Sequence, residues 1–84
     1  MRVGSLADLV GKGNQILIME AEEYTGKVVS RPRYDKRGKE TKQFEYYFCT
    51  DDGELIPIGK RNLSVDEKGL ILRLRPMSYQ EAVQ

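Results

Sequence analysis

The chain contains no histidine and no tryptophan, a single cysteine, three prolines and two phenylalanines. Without histidine there is no Ser-His-Asp or Cys-His couple to activate a nucleophile. The lone Cys49 closes no internal disulfide, which removes the small disulfide-stapled class. A structural zinc site draws on three or four Cys, His or carboxylate ligands, and this composition all but excludes one. Cys49 reads instead as a small buried apolar residue in a strand. Long apolar runs are missing too: Leu6, Ala7, Leu9 and Val10 are interrupted by Asp8. The expectation is no signal peptide, no membrane span, and a location in the cytoplasm of a cell or of an infected host.

What is present is 84 residues, 39% apolar and 32% charged. That is one domain with a small core, and too apolar for a disordered tail. The net charge of +1 conceals an uneven distribution. Residues 27–42 hold seven of the fourteen basic residues (Lys27, Arg31, Arg33, Lys36, Arg37, Lys39 and Lys42) and two of the thirteen acidic ones, Asp35 and Glu40. The segment carries +5 and the rest of the chain −4. A basic segment on a mildly acidic body suggests one face for a polyanion. The plainer reading is a solvated hairpin tip whose lysines discourage edge aggregation.

The apolar spacing divides the chain into short elements. Ser5-Leu6-Ala7-Asp8 has the form of a helix start, with a capping hydroxyl and an acid in the first turn. Leu6, Leu9 and Val10 then share one face, and Gly11 and Gly13 end the helix. From Gln15 the period becomes twofold, and strands are expected at Gln15–Ala21, Lys27–Tyr34, Thr41–Thr50, Leu55–Ile58 and Leu70–Arg75. The connections are a bend over Glu22–Gly26, a charged tip over Asp35–Glu40 with Gly38 at positive φ, and turns at Asp51–Gly53 and Asp66–Gly69. Lys60–Leu63 reads as one helical turn or a loop. Pro32 and Pro57 mark edges or bulges, because proline brings no N–H to a ladder. In the last strand Leu70, Leu72 and Leu74 face inward and Ile71, Arg73 and Arg75 outward.

This order predicts an all-β domain, small α+β at most: a five-stranded antiparallel OB-like or SH3-like barrel with a short N-terminal helix. Residues 1–13 form the helical segment, 14–76 the barrel, and 77–84 a tail that is a short helix or frayed.

Basic and aromatic residues coincide in the hairpin, and single-stranded nucleic acid needs both. Lys and Arg neutralise phosphates in a salt-dependent way, while aromatic rings stack on unpaired bases. Phe44, Tyr46 and Phe48 share one face, and burial tendency assigns that face to the core. Tyr34, beside the tip, is the best single stacking residue, and Tyr47 on the opposite face is the second. Lys60, Arg61, Arg73 and Arg75 add basic groups that a barrel can bring beside the hairpin, or that simply line a solvated face. Gly11-Lys12-Gly13 lacks the length and context of a phosphate loop. The acids Glu20, Glu22, Glu23, Asp51, Asp52, Asp66 and Glu67 sit at strand ends and turns, and no motif gathers them around a metal.

The middle of the chain resembles a known family. Gly38-Lys39, an aromatic strand with Cys49 near its end, an acidic turn closing on Gly53, then Glu54 and a strand with Pro57 follow one another. Together with the ending Gly69-Leu70-Ile71-Leu72-Arg73-Leu74-Arg75, this order is similar to the single-stranded-DNA-binding proteins of filamentous phages. The likeness covers residues 30–63 and 69–76. It implies a small OB fold, a homodimer, and DNA contacts from Arg31, Arg33, Tyr34, Lys36, Arg37 and Lys39. The chain departs from that family in its N-terminal helical segment and in having no room between Leu63 and Gly69 for a dimerisation hairpin.

The expected function is non-enzymatic binding of single-stranded DNA or RNA with little sequence preference. It needs no cofactor, metal, membrane or small-molecule substrate. The expected interface is Lys27, Arg31, Arg33, Tyr34, Lys36, Arg37, Lys39, Lys42, Tyr47, Lys60, Arg61, Arg73 and Arg75. The alternatives are an SH3-like module that docks a protein partner, as an adaptor or inhibitor would, and a barrel that binds duplex DNA.

Overall fold

A computed structural model describes residues 5–75. One 3₁₀ turn at Leu6–Leu9 precedes six strands: β1 Gln15–Met19, β2 Glu22–Tyr34, β3 Glu40–Thr50, β4 Leu55–Pro57, β5 Leu63–Val65 and β6 Ile71–Leu74. A second 3₁₀ turn, Lys60–Asn62, lies between β4 and β5. The strands form one sheet in the order β4-β3-β2-β1-β6-β5, antiparallel except where β1 runs parallel to β6. The fold is all-β, as the sequence predicts.

The barrel expectation needs correction. Among the described residues there are six strands, not five, the sheet is mixed rather than antiparallel, and β4 and β5 are not hydrogen-bonded to each other. Neither the OB-like nor the SH3-like closure forms. Part of the reason lies in β4. Thr50 and Ile58 make the ladder bonds Thr50 N–Glu54 O and Ile58 N–Tyr46 O, so the even-numbered positions of β4 face β3. Strand alternation then turns Pro57 toward the open edge, where it has no N–H to offer. At the other end β5 is only three residues long. Leu63-Ser64-Val65 is too short an alternation to stand out in the sequence, and that is how the sixth strand escapes notice.

Two other elements shift. The helix is a single 3₁₀ turn, capped by the Ser5 hydroxyl accepting from the Ala7 N–H at 3.2 Å. Leu9 is buried and Leu6 packs against the core, but Val10 is exposed. The bend expected at Glu22–Gly26 is strand, and the chain reverses at Glu20-Ala21, with Glu20 at φ 58°. Gly26 is not a turn glycine. It lies in β2 opposite Thr50, where a Cβ would collide with the Cys49 carbonyl oxygen. Close backbone approach, not positive φ, explains that glycine.

The inward face buries Leu17 of β1, Val28 of β2, Phe48 of β3, Ile56 of β4, Leu63 and Val65 of β5 and Leu72 of β6, with Leu9 and Ile58 added from the connections. Cys49 faces the other way and is half-buried, so it is not the core residue expected. Among the described residues two polar side chains are buried, Gln15 and Thr50, and Gln15 is the more enclosed. Gln15 is 1% exposed, donates from Nε2 to Leu9 O (3.2 Å) and Gly69 O (2.8 Å), and accepts from Val28 N–H at Oε1 (2.9 Å). It ties the first 3₁₀ turn, the β5–β6 turn and β2 to one point.

Asp66 holds the β5–β6 turn, its Oδ1 accepting from Leu70 N (2.7 Å) and Ile71 N (2.9 Å). The Ile71 amide is the chief reason its carboxyl lies below the ordinary 3.8, against the opposing pull of desolvation. A depressed folded-state value gives stability that is present above the unfolded value and lost as pH falls through the folded one. Asp66→Asn is therefore expected to destabilise at pH 7, with the gap from the parent narrowing below about pH 4. Urea midpoints at pH 7 and pH 3 measure it. A pH-independent gap would remove the charge from the account.

Among the described residues no helix is long and apolar enough to cross a membrane. The expected tail at 77–84, and the end of the last strand at Pro76, lie outside the described residues.

Candidate nucleic-acid interface

β2 and β3 are the two longest strands, and their partners are short. β1 pairs with β2 only from Glu22 to Gly26, and β4 pairs with β3 only from Tyr47 to Cys49. Beyond Ser30 and Tyr46 the two strands pair, among the described residues, only with each other. They form a two-stranded arm whose β2 side, Arg31 to Tyr34, is about 13 Å long at 3.3 Å per residue.

Alternation divides the arm's side chains. Val28 and Phe48 point into the core, so Ser30, Pro32 and Tyr34 of β2 and Tyr46 and Phe44 of β3 share that face. Pro32 lies directly opposite Phe44. Tyr46 still packs against the core, but Phe44 is 51% exposed and Tyr34 is 63% exposed. The expectation that Phe44 belongs to the core is wrong. The sheet has run out before reaching it, because neither β1 nor β4 extends that far. At the root of this face a groove of about 350 Å³ runs between Phe44, Tyr46, Pro57, Ile58 and Leu6.

The opposite face carries Arg31 across from Glu45. Arg33 Nε lies 3.3 Å from Glu45 Oε1, and Arg33 also donates to Gln43 Oε1 at 3.4 Å. Tyr47 donates its hydroxyl to Glu45 Oε2 at 2.7 Å, which raises its pKa above the ordinary 10.0. Tyr47 is half-buried and engaged in this way, so it is a poorer stacking surface than Phe44. The register shifts between Pro32 and Tyr34. Thr41 fills the irregularity, donating to Arg33 O (2.9 Å) and accepting from Gln43 N–H (3.2 Å).

The tip is ordered by Asp35. Its Oδ1 accepts from Arg37 N (2.8 Å) and Lys39 N (2.9 Å), and Gly38 takes φ 80°, as its position predicts. With Asp35 facing the backbone, Lys36, Arg37 and Lys39 are displayed outward. Neither these three nor Lys42 has an ion-pair partner among the described residues. Such unneutralised, exposed cations are what a polyanion requires.

The arm thus gathers Arg31, Arg33, Tyr34, Lys36, Arg37, Lys39 and Lys42, and adds Phe44. Lys27 lies lower, on the body, opposite Cys49. Lys60, Arg61, Arg73 and Arg75 do not join the arm. They lie around the second 3₁₀ turn and on β6. At the far end of β2, Glu22, Asp52 and Glu54 surround Tyr24, which donates its hydroxyl to Glu22 and has its pKa raised chiefly by that bond. The molecule is polar along β2, basic at the arm and acidic at the opposite end. No group of three or more Cys, Asp or Glu side chains among the described residues could hold a metal ion.

No family model, curated protein or solved structure matches this chain. The functional reading rests on its own residues.

Proposed function

We propose that this protein binds single-stranded nucleic acid, DNA by preference, without enzymatic activity and with little sequence preference. The observation that carries the reading is the arm: Tyr34 and Phe44 exposed on one face, and Lys36, Arg37 and Lys39 at its tip with no ion-pair partner among the described residues. Exposed rings on a two-stranded arm add nothing to a core, but they offer π-faces to unpaired bases. The tip cations, with Arg33, which also pairs with Glu45, supply the phosphate contacts. A two-stranded ribbon also fits a duplex major groove. The aromatic face favours the single strand, because a duplex presents base edges and hides base faces.

The test is fluorescence anisotropy with a labelled oligo(dT) of about 20 nucleotides, titrated at low and moderate salt with duplex and RNA competitors. Binding is expected to weaken steeply with salt, with a slope of about 0.7 per phosphate neutralised. Arg33→Ala with Lys36→Ala should weaken it about tenfold and flatten the slope without changing the thermal midpoint. Absence of binding at low salt, where the electrostatic attraction is greatest, would end the proposal. Displacement by duplex at equal strand concentration would transfer it to double-stranded DNA.

A further inference from the structure

Arg61, Arg73 and Arg75 lie off the arm, and the sheet gives them a place of their own. Leu72 is buried and Leu74 packs against the core. Arg73 and Arg75 therefore project from the opposite face, two residues or about 6.6 Å apart along the chain. Ser64, the exposed middle residue of β5, pairs in register with Arg73. A groove of about 220 Å³ is lined by Arg61, Asn62, Ser64 and Arg75. A second, of about 350 Å³, shares Ser64 with the first and is lined also by Asp66 and Arg73. Three arginines thus line two grooves that meet at Ser64. Asp66, which lines the second groove, accepts at Oδ1 from the amides of Leu70 and Ile71 and keeps its negative charge, so the arginines must outweigh one carboxylate there. Guanidinium forks and a hydroxyl donor match phosphate oxygens.

The chain itself joins this groove to the arm. Ile58 N donates to Tyr46 O at the arm's root (3.2 Å), and Arg75 N donates to Asn62 O (2.9 Å). Ile58 and Asn62 are four residues apart, so even a fully extended chain would separate them by no more than about 14 Å. Lys60–Asn62 is coiled in a 3₁₀ turn, which shortens the span further. Lys60 and Arg61 stand on that bridge, both exposed.

Building on the arm as a single-strand site, we propose that the β5–β6 groove is a second phosphate subsite for the same strand. Bases stack on Tyr34 and Phe44. The backbone then passes over Lys60 and Arg61 from the core-side face, which carries the rings, to the outer face of β5–β6, and its next phosphates are held by Arg61, Arg73 and Arg75 beside Ser64. The footprint is therefore longer than the arm alone can cover.

The experiment compares labelled oligo(dT) of 4 and 16 nucleotides, on the parent chain and on Arg61→Gln with Arg73→Gln, with circular dichroism confirming the fold of each. The parent should bind the longer strand more tightly than statistics require. On the 16-mer the double variant should lose about tenfold in affinity and about 1.4 in salt slope, corresponding to two lost phosphate contacts. On the 4-mer it should match the parent. If the double variant matches the parent on both lengths while Lys36→Ala weakens both, the subsite fails and the arm stands. If the parent binds neither, both proposals fall. Amide shifts of Ser64 and Arg73 identify the source of the phosphate. Shifts with the 16-mer support the subsite. Shifts with inorganic phosphate but not with the 16-mer, or with polyglutamate as strongly as with DNA, would overturn it.

Discussion

Replacing Gln15 with leucine is expected to lower folding stability by about 3–5 kcal/mol, although leucine is apolar and close to glutamine in size. The reason is geometric. The side chain of Gln15 satisfies Leu9 O, Gly69 O and Val28 N–H at one buried point. Leucine leaves all three groups without that partner, and each buried group left unsatisfied costs about 1–3 kcal/mol. A domain of this length has a total stability of only about 4–12 kcal/mol, so the variant should stand near the threshold of unfolding. The loss should reach all three elements together, because a single amide joins them. Urea midpoints with an unchanged m-value measure it. Gln15→Glu adds a pH signature. An ionised carboxylate has no proton to give to the two carbonyl oxygens, whereas the protonated acid has one. The pKa of the introduced carboxyl is therefore raised in the folded state. Its stabilising contribution should be fully present below about pH 4.3 and be lost as pH rises through the folded value. A leucine variant within about 1 kcal/mol of the parent, less than one such unsatisfied group should cost, or a glutamate variant that is pH-independent, would show that the three bonds carry little of the fold.

The sequence shows its local chemistry more clearly than its pairing. The tip at Asp35–Glu40, the turn at Asp51–Gly53 and the inward Leu72 all follow from side-chain type and twofold alternation, and all stand in the structure. The parallel β1–β6 pairing does not follow from alternation. It joins Ile16 to Ile71 and Leu17 to Leu72 across more than fifty residues of chain, and either face of β1 is apolar enough to be the inner one. Gly26 misleads in the same way. In sequence it ends an acidic stretch and resembles a turn, whereas its function is to let the β3 backbone come close. Phe44 is the instructive case for the site. Its strand alternation is read correctly, and Tyr46 and Phe48 do turn inward with it. What decides its exposure is where β1 and β4 stop, a property of two other strands. One signal was present: Phe44 is flanked by Lys42, Gln43 and Glu45, and a core strand seldom carries so polar a border on the side toward its tip.

Phe44 is therefore central to the second large effect. Tyr34→Ala together with Phe44→Ala is expected to weaken oligo(dT) binding by about 2–6 kcal/mol, thirtyfold at the least, since each stacked base contributes about 1–3 kcal/mol. Both rings are more than half exposed, so the double variant should unfold at the parent's temperature. The salt slope should also stay at the parent's value, because no cation is removed. That separates this variant from the Arg33 and Lys36 pair, which should change affinity and slope together. Tyr34→Phe should bind like the parent, since stacking needs the ring and not the hydroxyl, whereas Tyr34→Leu keeps the apolar bulk and should lose most of that residue's share. The chain has no tryptophan, so quenching of its tyrosine emission by bound bases gives a label-free readout, and part of that quenching should vanish with Tyr34. If the alanine pair binds within twofold of the parent, the arm acts through charge alone. The aromatic face would then have some other occupant, and the preference for single strands would lose its physical basis.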